Sequence, residues 1–140
     1  MLLVEQPEFT LRLPDGWTQL PAEAEQLSFQ SSEAHLLISV LRQDVPPEKL
    51  DALAAKLAEI RVAAEQESVP GVRHAPPSVK RKAEDHAEVM YAGAGQSIAF
   101  CFWGVVTTQK VFSFWLSADT ASVAQKVFAQ LVPCVSLMVP

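Results

Sequence analysis

Charge is scarce in this 140-residue chain: 19% of its residues are Asp, Glu, Lys or Arg, against roughly 25% in an average soluble domain. With 49% hydrophobic residues, it has too much apolar material to remain disordered. The 5 Gly and 2 Cys exclude a collagen-like repeat and a disulfide framework. The net charge of −5 excludes nucleic acid as an expected partner, because phosphate binding needs clustered Lys and Arg. No Walker loop, G-x-G-x-x-G, H-E-x-x-H, C-x-x-C or G-x-S-x-G occurs, so no motif names a reaction. Cys101 and Cys134 stand too far apart to suggest a metal site and read as small buried apolar residues. Neither a metal nor a cofactor is expected.

The shortage of charge is uneven. Residues 1–70 carry 12 acids and 5 bases, whereas Val89 onward holds only Lys110, Asp119 and Lys126. The last third is built to be covered. Its longest apolar stretch, Ser97 to Ala118, is interrupted midway by Thr107, Thr108, Gln109 and Lys110, and a central Lys would cost ~2.5–3.5 kcal/mol in a bilayer. Two strands and a polar turn are expected there, without membrane insertion. Met1 to Phe9 lacks the cationic start of a secretory signal and meets Glu5 and Pro7 early, which predicts a cytoplasmic protein.

Along the chain, Phe9, Leu11 and Leu13 alternate with polar residues as in a half-buried strand, and Pro14-Asp15-Gly16 turns it toward Trp17. Leu27 to Gln30 reads as a short strand. Ala34 to Gln43 is apolar on both alternating sets, predicting a strand covered on both faces. Pro46-Pro47 opens a helix of roughly 18–20 residues, with Leu50, Leu53, Leu57, Ile60 and Ala64 as its buried stripe, closed by Val69-Pro70-Gly71. Four strands follow in a meander, Ser78–Ala83, His86–Ala92, Ser97–Val106 and Gln109–Ser117. Asp119 is the expected N-cap of a closing helix, Thr120 to Val132, with Val123, Val127 and Leu131 inward. Val135 to Pro140 is an apolar tail. This order predicts one α+β domain, 1–140, an antiparallel sheet of about six to seven strands flanked by two main helices.

Gly93-Ala94-Gly95 lies between strands and reads as a hairpin turn, not a phosphate loop. Lys80-Arg81-Lys82 fits a charged edge strand that resists sheet-to-sheet aggregation. Glu23, Glu25 and Glu33 read as solvated acids. The aromatic strand faces carry the strongest signal. If Cys101, Trp103, Val105, Val111 and Trp115, with Leu37 and Leu41, lie opposite the helices, the exposed patch exceeds the few hundred Å² usual for a monomer. Such a patch marks a homodimer interface or an apolar partner. Two other readings stay open: an enzyme or small-ligand binder using His35 or His86 in a pocket lined by Trp17, and a purely structural dimerising domain.

Leu13-Pro14-Asp15-Gly16-Trp17, the early strands, the helix from Pro47, the meander and the closing Leu131-Val132-Pro133 together resemble the PsbP-like fold, which includes the Ran-binding Mog-type and bacterial DcrB-type proteins. Within it the chain is most similar to the effector-associated chaperones of type VI secretion. That resemblance implies a non-enzymatic homodimer that shields a hydrophobic segment of an effector on its sheet. The resemblance fits Leu37, Ser39 and Leu41, and Trp103 and Trp115, as strand-face positions only, without a residue-specific motif.

Overall fold

Alternation of apolar and polar residues produces strands almost wherever it occurs. In the computed structural model the described residues are 1–23 and 26–137, which leaves the side chain of Glu23, all of Glu25 and tail residues 138–140 outside them. Strands β1 (Leu2–Glu5), β2 (Phe9–Leu13), β3 (Thr18–Glu23), β4 (Gln26–Gln30) and β5 (Ala34–Arg42) come first. A short turn of 3-10 helix at Pro47–Lys49 then leads into helix α1 (Leu50–Ser68). Next are β6 (Arg73–His74), β7 (Ser78–Ala83), β8 (His86–Ala94), β9 (Ala99–Thr107) and β10 (Lys110–Ala118). Helix α2 (Ala121–Leu131) and β11 (Val135–Leu137) close the chain.

The main sheet has eight antiparallel strands in the order β3-β4-β5-β10-β9-β8, with β6 and β7 both pairing with β8. A separate three-stranded sheet, β1-β2-β11, is closed by Val135–Leu137. The expected α+β class and two helices are present. The strand count exceeds the expected six to seven because β1, β3, β6 and β11 are too short or too mixed in polarity to show a period of two. Gly95 N–H donates to the Ile98 carbonyl at 2.7 Å, so the β8–β9 turn begins at Gly95, whereas Gly93 and Ala94, expected in that turn, extend β8 and pair with Phe100 and Ala99. β7 is exposed along its whole length. Its cations face neighbouring acids, Arg81 to Asp51 at 3.7 Å and Lys82 to Glu88 at 3.4 Å, as suits a charged edge.

Helices α1 and α2 take opposite faces of the main sheet. On the α2 side, Leu36, Ile38, Phe112, Phe114, Trp103 and Val105 join Phe9, Leu11 and Leu13 of the small sheet in one core. On the α1 side, Val89, Tyr91, Phe100, Phe102 and Val106 pack against the helix. The buried stripe of α1 is Leu50, Ala54, Ala58 and Glu65, not the expected line through Ile60 and Ala64, which are exposed. Alanines let the helix axis approach a sheet surface filled by aromatic rings, and the leucines at 53 and 57 flank that contact. The N-cap of α2 is Thr120, not Asp119: its hydroxyl accepts from Val123 N–H at 3.3 Å.

Close packing reaches the short β6. A Cβ on Gly93 would lie 2.6 Å from the Phe100 ring and 3.1 Å from the Arg73 carbonyl, so Gly93→Ala must push the ring or β6 aside. A loss of about 1–3 kcal/mol in urea unfolding is expected. A loss below about 0.5 kcal/mol would mean that β6 yields without cost.

Candidate functional site

Where α1 ends, its stripe carries an acid. Glu65 is only 3% exposed, and a buried carboxylate is tolerable only when donors surround it. Oε1 accepts from His74 Nε2 at 2.9 Å and Tyr91 Oη at 2.7 Å. Oε2 accepts from Tyr91 Oη at 2.8 Å and Trp115 Nε1 at 2.8 Å. Arg61, one helical turn earlier, brings a guanidinium nitrogen to 3.7 Å. The same guanidinium lies 5.8 Å from the Phe102 ring centre and 5.9 Å from that of Trp115, within cation–π range. Burial, and then the neighbouring Glu65 carboxylate, push the Tyr91 hydroxyl far above its ordinary value, so it stays a proton donor.

This cluster ties α1 to β6, β8 and β10. With both carboxylate oxygens engaged by donors, its chemistry is that of a clamp. The clamp fixes Trp115, which also stacks on Phe100 with ring centres 5.4 Å apart. Trp115 in turn pairs with Leu37 on β5, at the border where the cover of α1 ends.

The expected partner-binding residues divide between the two sides of the sheet. Cys101, Trp103 and Val105 are buried in the α2-side core, so they cannot form an exposed patch with Trp115. Val111 is buried on the α1 side. Leu37, Ser39 and Trp115 share that side and are half-buried, and Leu41 beside them is 52% exposed. The cause is register: Phe114 pairs with Trp103, and Trp115 with Phe102. Residues that face each other across strands share a face, which sets the two tryptophans back to back.

β5 is therefore covered fully on one face only, contrary to the expected double cover. Helix α1 lies over β7, β8 and β9, and β10, β5, β4 and β3 extend past it. A cleft of about 710 Å³ opens beside the C-terminal end of α1, lined by residues that include Leu20, His35, Ser68 and Ser117. A second, of about 510 Å³, lies at the other end, beside Lys49, Leu53 and Lys56.

The residues of the expected histidine pocket are not brought together. His35 Nε2 and Ser28 Oγ are 2.7 Å apart at the first cleft. His86 instead lies 3.3 Å from Asp85. Trp17 sits on the α2 side with Pro14, Val127 and Leu131. Burial alone raises the Cys101 thiol to about 11, so it stays protonated and unreactive. No metal-binding cluster of His, Cys, Asp or Glu occurs among the described residues, and no helix among them is long and apolar enough to cross a membrane.

No protein-family model matches the chain, and no curated protein matches it by sequence. Its backbone is nevertheless similar to that of cyanobacterial PsbP (CyanoP) from Synechocystis, with a TM-score of 0.67 at 13% identity over 98% of this chain and 92% of that one. The fold is PsbP-like. The PsbP-like chain is also similar to LpqN of Mycobacterium tuberculosis, a protein involved in cell envelope biogenesis, with a TM-score of 0.53 at 16% identity over 98% and 90% of the two chains.

Glu65, Arg61 and Tyr91 escaped the reading by sequence, whereas His74 stands out there as one of three histidines able to act as a base. One signal for them exists: a line through Leu50, Ala54 and Ala58 continues to Glu65 at helical spacing. Drawing the stripe through alanines instead of the larger leucines exposes an acid where an apolar residue belongs.

Proposed function

We propose that this PsbP-like protein is a non-enzymatic binding module that seats an apolar segment of a partner protein on the part of its main sheet that α1 leaves open. The observation that carries the reading is the run of Leu37, Ser39 and Leu41 beside a clamped Trp115, on the α1 side of the sheet but beyond β7, β8 and β9, over which α1 lies. Covering ~400 Å² of apolar partner surface there contributes about 10 kcal/mol before the costs of association. In the finer form of the reading, the partner is a secreted effector of type VI secretion, held in the cytoplasm by a homodimer of this chain. The resemblance of Leu13-Pro14-Asp15-Gly16-Trp17 and Leu131-Val132-Pro133 to those chaperones motivates it.

Leu41→Glu tests the surface without disturbing the core, because the side chain is already half in solvent. Co-expression with the effector of the adjacent gene, with and without its apolar N-terminal segment, should give a complex only when the segment is present. In that complex Leu41→Glu should weaken binding at least about tenfold, while stability to urea stays within about 0.5 kcal/mol. Full binding by both Leu37→Glu and Leu41→Glu variants that remain folded would place the partner elsewhere.

A further inference from the structure

The two ends of the open groove carry opposite charge. The cleft at the C-terminal end of α1 is lined by Glu33 and Asp119, with no Lys or Arg among its lining residues. At the other end, two adjoining clefts are lined by Arg42, Lys49, Lys56 and Lys110 against a single acid, Asp44. Glu33, Asp119, Lys49 and Lys56 are all exposed, so both signs reach the mouth of the groove. Arg42 and Lys56 have acids nearby, Glu8 at 3.8 Å and Glu59 at 3.6 Å, and these loose surface pairs leave most of their charge available to a newcomer. Between the ends, the uncharged β5 residues Leu37, Ser39 and Leu41 stand on the face shared with Trp115, half-buried or exposed.

We infer that the groove is directional. It takes an apolar helix whose N-terminal end, flanked by Lys or Arg, lies at Glu33 and Asp119, and whose C-terminal end, flanked by Asp or Glu, lies at Lys49 and Lys56. The bound helix then runs antiparallel to α1, which starts at the basic end and finishes at the acidic one. The inference rests on the reading of the groove as the seat of an apolar segment and adds its polarity.

Two physical terms favour a helix as the occupant, and a third sets its direction. The nine residues of β5 span roughly 27 Å at ~3.3 Å per residue, which matches about 18 helical residues at ~1.5 Å each. An extended occupant lying across a sheet face would leave its backbone N–H and C=O groups unpaired, whereas a helix satisfies its own. The helix dipole places about half a positive charge at the N-terminus and half a negative charge at the C-terminus, and the flanking side chains add to it. Reversal would set like charges against each other at both ends, which selects against the wrong orientation.

The test uses two synthetic peptides of one composition, each with a Leu–Ala–Ser core of about 18 residues. One has a basic N-terminal and an acidic C-terminal flank, and the other has the flanks exchanged. Identical net charge cancels the general attraction of an acidic protein for cations. Fluorescence anisotropy of labelled peptide should show the first binding about three- to tenfold tighter at low salt, with the gap narrowing at high ionic strength. In protein carrying Glu33→Lys, Lys49→Glu and Lys56→Glu together, with an unchanged circular dichroism spectrum, the preference should reverse. Equal affinity for the two peptides, or an unchanged preference in the charge-reversed protein, overturns the directionality and leaves the apolar seat standing. Failure of both peptides to bind overturns the seat and its polarity together.

Discussion

Glu65→Ala should destabilise the protein by about 3–5 kcal/mol, the range for breaking a buried charged network from one side. Removing the carboxylate leaves the Tyr91 hydroxyl, the Trp115 indole N–H and the His74 ring nitrogen without the acceptor they share. Each unsatisfied buried donor costs about 1–3 kcal/mol. Arg61 also loses its carboxylate while its Nε is already buried without a hydrogen-bond partner. Glu65→Gln has nearly the same shape, but its amide nitrogen donates, so it faces donors where it needs acceptors. It should fall between the wild type and Glu65→Ala in urea unfolding. A loss below about 1 kcal/mol for Glu65→Ala would mean that water replaces the carboxylate and that the clamp is not structural.

The same network has an alkaline signature. Tyr91 has an ordinary value near 10.0 that the fold raises, so between that value and the folded one the unfolded chain is deprotonated while the native chain is not. Stability should therefore be complete below about pH 10 and fall as pH rises, at up to about 1.4 kcal/mol per pH unit. The chain has a single tyrosine, so phenolate absorbance reads this group alone. Its appearance should coincide with unfolding, and ionisation of Tyr91 in the native protein near pH 10 would contradict the hydrogen-bonded geometry.

Why this cluster was hidden in the sequence follows from its connectivity. The partners of Glu65 lie 9, 26 and 50 residues further along, on three strands whose meeting depends on how α1 crosses the sheet. Periodicity acts within an element and carries no information about that crossing. What periodicity does decide came out clearly: β2, β5, the meander, α1 and α2 all stand close to where alternation and helical spacing put them. The open part of the sheet was less accessible, because the apolar sets of β5 look alike whether a helix covers them or a partner does.

The separation of the two tryptophans, by contrast, was legible. A two-residue turn between β9 and β10 makes paired positions sum to an odd number, as Val106 with Val111 and Trp103 with Phe114 do. Odd-numbered residues of one strand then face even-numbered residues of the other. Trp103 belongs with Phe112 and Phe114, and Trp115 with Phe102. Grouping Trp103 with Trp115 would require a turn with one residue more or fewer, which would move every side chain of β10 to the other face.

That register gives Trp103 the second large expected effect. Its ring stacks on Phe114 with centres 4.8 Å apart, and its indole N–H donates to Glu88 at 3.0 Å. Trp103→Ala should cost about 3–5 kcal/mol through the cavity it opens, a large part of the roughly 5–15 kcal/mol that holds a domain folded. Trp103→Glu should not fold, since a second carboxylate would be buried beside Glu88 with no donor of its own. Any loss of partner binding in that variant would report unfolding, whereas Leu41→Glu would report the surface itself. The contrast is read by urea titration of Trp103→Ala and Leu41→Ala in parallel. A Trp103→Ala protein as stable as Leu41→Ala would place the indole in solvent and with it reverse the assignment of the two sheet faces.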